Sequence, residues 1–480
     1  MATNRSASNS DFVVPIWING VAVEAPKIHT FPVTSSITNE VVHHAQSVDI
    51  ATAQAACDAA TNAFKSWKRT SISTRRDMLL RVADIFSQRA SDFIKIQMEE
   101  TSCDEPWAQN NITTTVNYLR EIASCISTSI QGTIPSLEKP NTMGFIFKEP
   151  VGSILVIPPW NAAMILCCRA LTSAVGAGCT VVLKASELCP KTHYMMVQVF
   201  EEAGLPKGVI NQVQARREDA AQVTEALIAH PAIRKVDFIG SAAVGKIIAA
   251  TAAKYLKPVL MELGSKTPAI VLDDADLQKA AFLCAKGATM HHGQICFSTE
   301  RVIVHQKVAE EFQNFLVQAF ANLPPGNPAV NEAGAKHAED VLRDAQDKGA
   351  KLLVGGIDYS KPATLKPTIV LEPRASRIVD EETFGPSASL YAVESDEEAI
   401  ALANKTVYGL NATIHTRDLA RGINIARELE YGQVHINSMT VFTASTGSQG
   451  GVKGSGWGRM NAGWGLSEFL VEKFVSYHTD

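Results

Sequence analysis

The chain is patterned in two periods. Short apolar runs without polar alternation recur through its middle, and stretches with helical spacing lie between them. Ser153-Ile154-Leu155-Val156-Ile157, Thr180-Val181-Val182-Leu183-Lys184, Val209-Ile210-Asn211-Gln212-Val213, Lys235-Val236-Asp237-Phe238-Ile239 and Val259-Leu260-Met261 read as strands. The intervals predict helices, among them 192–203, 219–229 and 244–256. Strands apolar on both faces, joined by helices through short connections, predict a doubly wound parallel sheet. A second series runs from Ala269-Ile270-Val271-Leu272 to Val434-His435-Ile436-Asn437, with helices predicted over 308–322 and 332–348. It reads as a second α/β unit. Ahead of the first series, Trp17-Ile18-Asn19-Gly20 reads as strand and turn, and 50–67, 74–100 and 105–128 carry helical periodicity. Pro, Gly and alternating apolar residues over 132–148 predict an extended hairpin. The tail, 468–478, predicts a last strand that pairs with this hairpin or with another subunit.

Composition narrows the function. With 480 residues and 46% hydrophobic content, the chain can bury two or three full cores. A net charge of −5 without a basic or acidic run gives no footprint for nucleic acid or an anionic membrane. No apolar stretch is long enough to span a bilayer, and the polar segment Met1–Phe12 lacks the apolar core of a signal peptide. Nine cysteines at irregular spacing, with no C-x-x-C pair, form neither a disulfide framework nor a zinc site. A reduced, cytoplasmic compartment and no metal are expected.

In a doubly wound sheet, ligands bind beyond the carboxyl ends of the strands, so the residues after each run carry the chemistry. Pro158-Pro159-Trp160-Asn161 follows the first strand, Lys184-Ala185-Ser186-Glu187 the second, and Glu262-Leu263-Gly264-Ser265-Lys266 the fifth. Gly240-Ser241-Ala242-Ala243-Val244-Gly245 opens a helix whose N-terminal N–H groups suit a pyrophosphate, although it is not the G-x-G-x-x-G fingerprint. Lys184 and Glu187 read either as a surface cation and a helix cap or as a grip on ribose hydroxyls. Asn161 reads as a helix cap or an oxyanion donor, and Glu262 as an exposed carboxylate or a general base. Cys296, in Gly293-Gln294-Ile295-Cys296 between a predicted helix and strand, reads as a small core residue or a nucleophile.

Taken together, Pro159-Trp160-Asn161, Lys184-Ala185-Ser186-Glu187, Phe238-Ile239-Gly240-Ser241 with Val244-Gly245, Met261-Glu262-Leu263-Gly264, Gly293-Gln294-Ile295-Cys296, Glu381-Glu382-Thr383-Phe384-Gly385-Pro386 and the glycine-rich run from Gly450 to Arg459 resemble the aldehyde dehydrogenase superfamily in order and spacing. The resemblance covers nearly the whole chain. It implies a Rossmann-like cofactor domain over 12–128 and 149–257, an α/β catalytic domain over 258–460, and a β oligomerisation element from 129–148 and 461–480, in a homodimer or homotetramer. It implies an aldehyde substrate and NAD. Cys296 would be the nucleophile, Asn161 and the Cys296 N–H the oxyanion donors, and Glu262 the base that hydrolyses the thioester. Lys184 and Glu187 would hold the adenosine ribose, Ser241 the pyrophosphate and Glu382 the nicotinamide ribose, with Phe384 near the nicotinamide. Ile157, Pro158, Trp160, Ser186, Gly240, Val244 and Leu263 would complete the cofactor cleft.

Within the superfamily, Asn161 to Leu166 with Arg169, Phe297 to Arg301, and His435 to Thr440 resemble the salicylaldehyde, benzaldehyde and vanillin dehydrogenase group. That implies an aromatic aldehyde, with Arg169, Met164, Ile295 and Phe297 in the substrate pocket; Met164 and Cys168, one helical turn apart, read as its entrance or, more often, as core. Arg169 otherwise reads as a surface arginine in a salt bridge. The sequence departs from the group at Val441-Phe442-Thr443-Ala444-Ser445, which replaces a His-Asp pair, at Ser265, in the short segment from Pro324 to Ala335, and at Met460 in place of an acid. The rival readings are an enzyme for aliphatic or specialised aldehydes, a CoA-acylating dehydrogenase and a non-catalytic protein on this fold. Such dehydrogenases generally lack the base that Glu262 supplies, and a non-catalytic protein need not keep Cys296, Glu262 and Asn161 together.

Overall fold

The computed structural model describes residues 12–23, 29–323 and 326–479; most of the polar segment Met1–Phe12 and the start of the 324–335 stretch lie outside them. The five apolar runs form the parallel centre of an eight-stranded sheet. Its order is Gly456–Trp457, Val259–Glu262, Ile233–Ile239, Ser153–Ile157, Thr180–Lys184, Ile210–Val213, Trp17–Ile18 and Val21–Ala22. Helices Ala163–Ala177, Pro190–Glu202, Ala220–Ala229 and Ala242–Lys254 connect the parallel strands. Leu183 pairs with Val156, Phe238 with Ile157 and Ile239 with Glu262, so the C-terminal ends of four strands align along one edge.

The second series forms a seven-stranded sheet, parallel except for the edge strand Lys351–Val354. Pro268–Val271 lies between Arg301–His305 and Asn411–His415. Among the described residues, no helix is long and apolar enough to cross a membrane.

Two sequence expectations change, and one pair of strands is added. The helix expected over 74–100 is two helices, Ile72–Gln88 and Ala90–Thr101, separated by Arg89 at φ −97° and ψ 20°. The apolar stripe runs through the break: Phe86 and Phe93 meet edge to face at 5.1 Å, so periodicity alone does not reveal it. The expected hairpin over 132–148 reduces to one bridge, Thr133 to Ile146. Its second half is the strand Thr142–Pro150, whose partner is the C-terminal strand Leu470–His478 in antiparallel register. The strands His29–Ser35 and Glu40–Ser47 are an addition; Pro32 and paired histidines mask their alternation.

Candidate active site

Cys296 follows a sharp reversal. The helix Leu277–Thr289 runs into a short turn in which His291 and His292 take φ of 50° and 58°. Gly293 follows at φ +72°, where a Cβ would lie 2.1 Å from the Gly385 carbonyl oxygen; only glycine fits between the two loops. Trp107 stacks on His291 at 5.8 Å and donates its indole N–H to the Asn161 carbonyl at 2.9 Å. The Asn161 side chain donates from Nδ2 to the Gln294 carbonyl at 2.9 Å. That carbonyl requires a donor, which fixes the amide orientation; the buried Asn161 Oδ1 has no partner among the described residues.

The sulfur faces Glu262. The Cys296 Sγ–H donates to Glu262 Oε1 at 3.4 Å, and Glu262 is fully buried. Burial, the Glu262 charge and that hydrogen bond push the thiol well above its ordinary pKa, with Glu382 adding to the shift and Arg169 opposing it. The thiol is therefore the resting form at neutral pH. Glu262 Oε2 accepts from Arg169 Nη2 at 2.9 Å and from Gln449 Nε2 at 2.9 Å. Burial works against the Arg169 cation, but the Glu262 charge and its hydrogen bond outweigh it and leave its pKa raised.

Arg169 is therefore not the surface arginine of a solvated salt bridge. It is 2% exposed, lines the cavity beside Cys296, and keeps Nε and Nη1 without a partner among the described residues. The cavity, about 260 Å³, also brings in Asn161, Glu262, Ile295 and Phe297, with Trp107, Tyr118, Leu166 and Val441 to Thr443. Met164 and Cys168 follow their core reading. Both are fully buried in the core, whereas Ala162, Ile165, Leu166 and Arg169 of the same segment line the cavity. The helix Ala163–Ala177 is buried all round, so no polar stripe in the sequence marks its cavity-facing side.

The aligned strand ends carry a second group of predicted residues. Ile157 and Pro158 close the first strand, and Trp160 meets Phe384 edge to face at 6.2 Å. Lys184 is buried at the next strand end; burial lowers its pKa, and the nearby Glu187 charge opposes the shift. The Ser186 N–H donates to His193 Nδ1 at 3.3 Å. Gly240 donates its N–H to the Glu262 carbonyl, and Ser241 caps the helix Ala242–Lys254 by accepting from Val244 N–H at 3.3 Å. The first turn of that helix is open to solvent on one side, with Ser241 and Val244 exposed. A Cβ at Gly245 would strike Leu263 at 2.5 Å, and one at Gly264 would strike Glu382 Oε2 at 2.4 Å. Glu382 accepts from Ser265 N–H at 2.8 Å, and burial, with the Glu300 charge, pushes its carboxyl up to about 8. The buried Lys266–Glu300 ion pair anchors this loop: Lys266 donates to the Glu381 carbonyl, and Glu300 accepts from Thr383 and Phe384 N–H.

Gln449 and Tyr118 are additions to the expected site, whereas Thr443 belongs to the Val441–Ser445 stretch already singled out. Gln449 directly precedes the glycine-rich run, but a lone glutamine there gives no sign of reaching Glu262.

The aldehyde dehydrogenase family profile matches residues 23–475. The chain is 38% identical over 473 residues to vanillin dehydrogenase of Pseudomonas fluorescens, covering 96% of this chain and 97% of that protein. The crystal structure of salicylaldehyde dehydrogenase from Pseudomonas putida G7 complexed with salicylaldehyde superposes with a TM-score of 0.94 at 36% identity, over 97% of this chain and 98% of that one. Betaine aldehyde dehydrogenase from Staphylococcus aureus in complex with NAD+ superposes with a TM-score of 0.93 at 27% identity, over 97% of this chain and 95% of that one. With a match of this extent and an aldehyde dehydrogenase fold, the chain belongs to the aldehyde dehydrogenase family and is an oxidoreductase.

Proposed function

We propose that this enzyme oxidises an aromatic aldehyde to the carboxylic acid with NAD, using Cys296 as nucleophile and Glu262 as base. The observation that carries the reading is the 3.4 Å approach of Cys296 Sγ to the buried Glu262 inside a cavity walled by aromatic and aliphatic side chains. Cys296 gives up its thiol proton to solvent, and the thiolate attacks the aldehyde carbonyl while Glu262 stays ionised. The oxyanion is held by the Cys296 N–H and the second N–H of Asn161 Nδ2, the first being held by the Gln294 carbonyl. The dinucleotide, when bound, supplies the hydride acceptor. Glu262 then takes a proton from the water that cleaves the thioester. The flat ring lies against Phe297, Trp107 and Leu166, and the unpartnered Arg169 donors address a ring substituent or the ring face.

For the cofactor, the helix N-terminus at Ser241 takes the pyrophosphate, and Lys184 and Glu187 hold the adenosine ribose. Glu382 holds the nicotinamide ribose, and Phe384 packs near the nicotinamide. We read residues 12–128 and 149–257 as the cofactor domain and 258–460 as the catalytic domain. The Thr142–Pro150 and Leu470–His478 ribbon carries exposed Phe147, Phe474 and Tyr477 and serves a homodimer or homotetramer. The nine free cysteines fit a reduced cytoplasm.

The test is a panel of aromatic, short aliphatic and long aliphatic aldehydes, each with NAD and with NADP, read as absorbance of the reduced nicotinamide. Aromatic aldehydes with NAD should give the highest kcat/KM, and equal rates across the panel would sink the substrate assignment. Glu187→Gln removes a carboxylate that repels a 2′-phosphate. It should raise kcat/KM with NADP about tenfold, the equivalent of ~1.4 kcal/mol; an unchanged NAD/NADP ratio would reject the role of Glu187. Arg169→Leu strands the Glu262 carboxylate, with an expected stability loss of about 3–5 kcal/mol in denaturant unfolding. It should also erase the preference for aromatic over aliphatic aldehydes, and a preserved ratio would remove Arg169 from the pocket.

A further inference from the structure

The Val441–Ser445 stretch, where the sequence departs from the salicylaldehyde, benzaldehyde and vanillin dehydrogenase group, does more than line the cavity beside Cys296. Thr443 Oγ1 donates to Gln449 Oε1 at 2.8 Å and lies 2.6 Å from Tyr118 Oη. Tyr118 Oη is 3.4 Å from Gln449 Oε1, and Asn461 Nδ2 approaches the same oxygen at 3.4 Å. Thr443 donates to Gln449 Oε1 and in turn accepts from Tyr118, and the acceptor-only Glu262 carboxylate requires the Nε2 donor, which together fix the amide orientation. The Nε2–Oε2 distance is 2.9 Å, and Gln449 is 2% exposed.

We propose that Gln449, held by Thr443 and Tyr118, is a positioning residue that fixes the rotation of the Glu262 carboxylate, so that Oε1 stays on Cys296 through thioester hydrolysis. The reasoning rests on the reading of Glu262 as base. A carboxylate bound by one donor can turn about its terminal torsion. Two donors on Oε2, from Arg169 on one helix and Gln449 on a separate loop, oppose that turn and leave Oε1 free for chemistry. In the hydrolytic step the water oxygen forms a bond to the acyl carbon, and the water proton passes to Glu262 Oε1. The carbon–sulfur bond breaks, and the Cys296 thiolate leaves. No redox change accompanies this step, so hydride transfer in the first turnover does not depend on the carboxylate being aligned for water. A misplacement of about 1 Å in a proton acceptor costs on the order of a hundredfold.

Gln449→Met keeps the volume and removes the donor. The first-turnover rate of nicotinamide reduction should stay within about twofold of wild type, while kcat falls about tenfold to a hundredfold. Acid quench at saturating aldehyde followed by intact-mass measurement should show the acylated fraction of Cys296 rising towards full occupancy. An unchanged kcat, or first turnover and kcat falling together, would overturn the proposal, because a merely structural residue would slow both. If Gln449→Met does not fold, Thr443→Val carries the same test, with about a threefold to tenfold fall in kcat and the same acyl accumulation. Glu262→Gln serves as the reference. If it fails to accumulate acyl-enzyme, the base assignment itself is wrong. If it accumulates and the Gln449 and Thr443 variants do not, only the positioning role fails.

Discussion

Replacing Cys296 by Ala should abolish aldehyde-dependent NAD reduction, lowering kcat/KM by about four to six orders of magnitude, as loss of a covalent nucleophile does in other enzymes. No second thiol can substitute. Cys167 and Cys168, on the helix that lines the cavity, are fully buried in the core, and burial raises both pKa values, that of Cys168 to about 12. Water in the cavity is a much weaker nucleophile than a thiolate. The fold should tolerate the change, because among the described residues the sulfur makes one hydrogen bond, to Glu262. Steady-state assays with an aryl aldehyde, together with a denaturant midpoint close to that of wild type, check this result. Residual activity above about one per cent would dismiss Cys296 as nucleophile.

The second large effect belongs to Glu262→Gln, and its two parts have opposite sign. Turnover should fall by about two to four orders of magnitude, the range of a lost general base. The nucleophile should become more acidic. Burial is the first cause of the raised Cys296 pKa, and the Glu262 charge and hydrogen bond come next. Removing the carboxylate lowers the pKa and leaves Arg169 as an uncompensated cation nearby, which lowers it further. Alkylation of Cys296 by iodoacetamide at neutral pH should therefore accelerate in a variant that has almost stopped turning over. Unchanged or slower alkylation would show that Glu262 does not control the thiol. Unfolding measurements should also reveal the stranded guanidinium as a stability loss of a few kcal/mol, roughly that of a broken buried ion pair.

These effects were partly legible in the sequence. The strand ends could be located because both faces of each strand are buried, which makes Ser153 to Ile157 or Thr180 to Lys184 stand out as apolar runs. The same burial hid other features. The helix that carries Arg169 has no exposed side, so its sequence cannot distinguish Met164, packed into the core, from Ile165 and Leu166 at the cavity. Arg169 was visible as a candidate pocket residue, but its bond to Glu262 joins positions on different elements that local spacing does not relate. Gln449 was missed for the same reason. The break at Arg89 preserves the phase of the apolar stripe, and the partner of Thr142–Pro150 is contributed by the end of the chain.

The contact between Gly293 and Gly385 has a consequence for redesign. The reversal leading to Cys296 and the loop carrying Glu382 and Phe384 touch backbone to backbone, with no side chain between them. A mutation that shifts one loop shifts the other, so nucleophile geometry and nicotinamide-side geometry cannot be tuned separately. Libraries that vary this seam should yield mostly inactive clones. The side of the cavity formed by Val441 to Thr443 lies on a different loop. Diversification there can alter which aldehyde enters without disturbing the seam, provided that Thr443 is left in place.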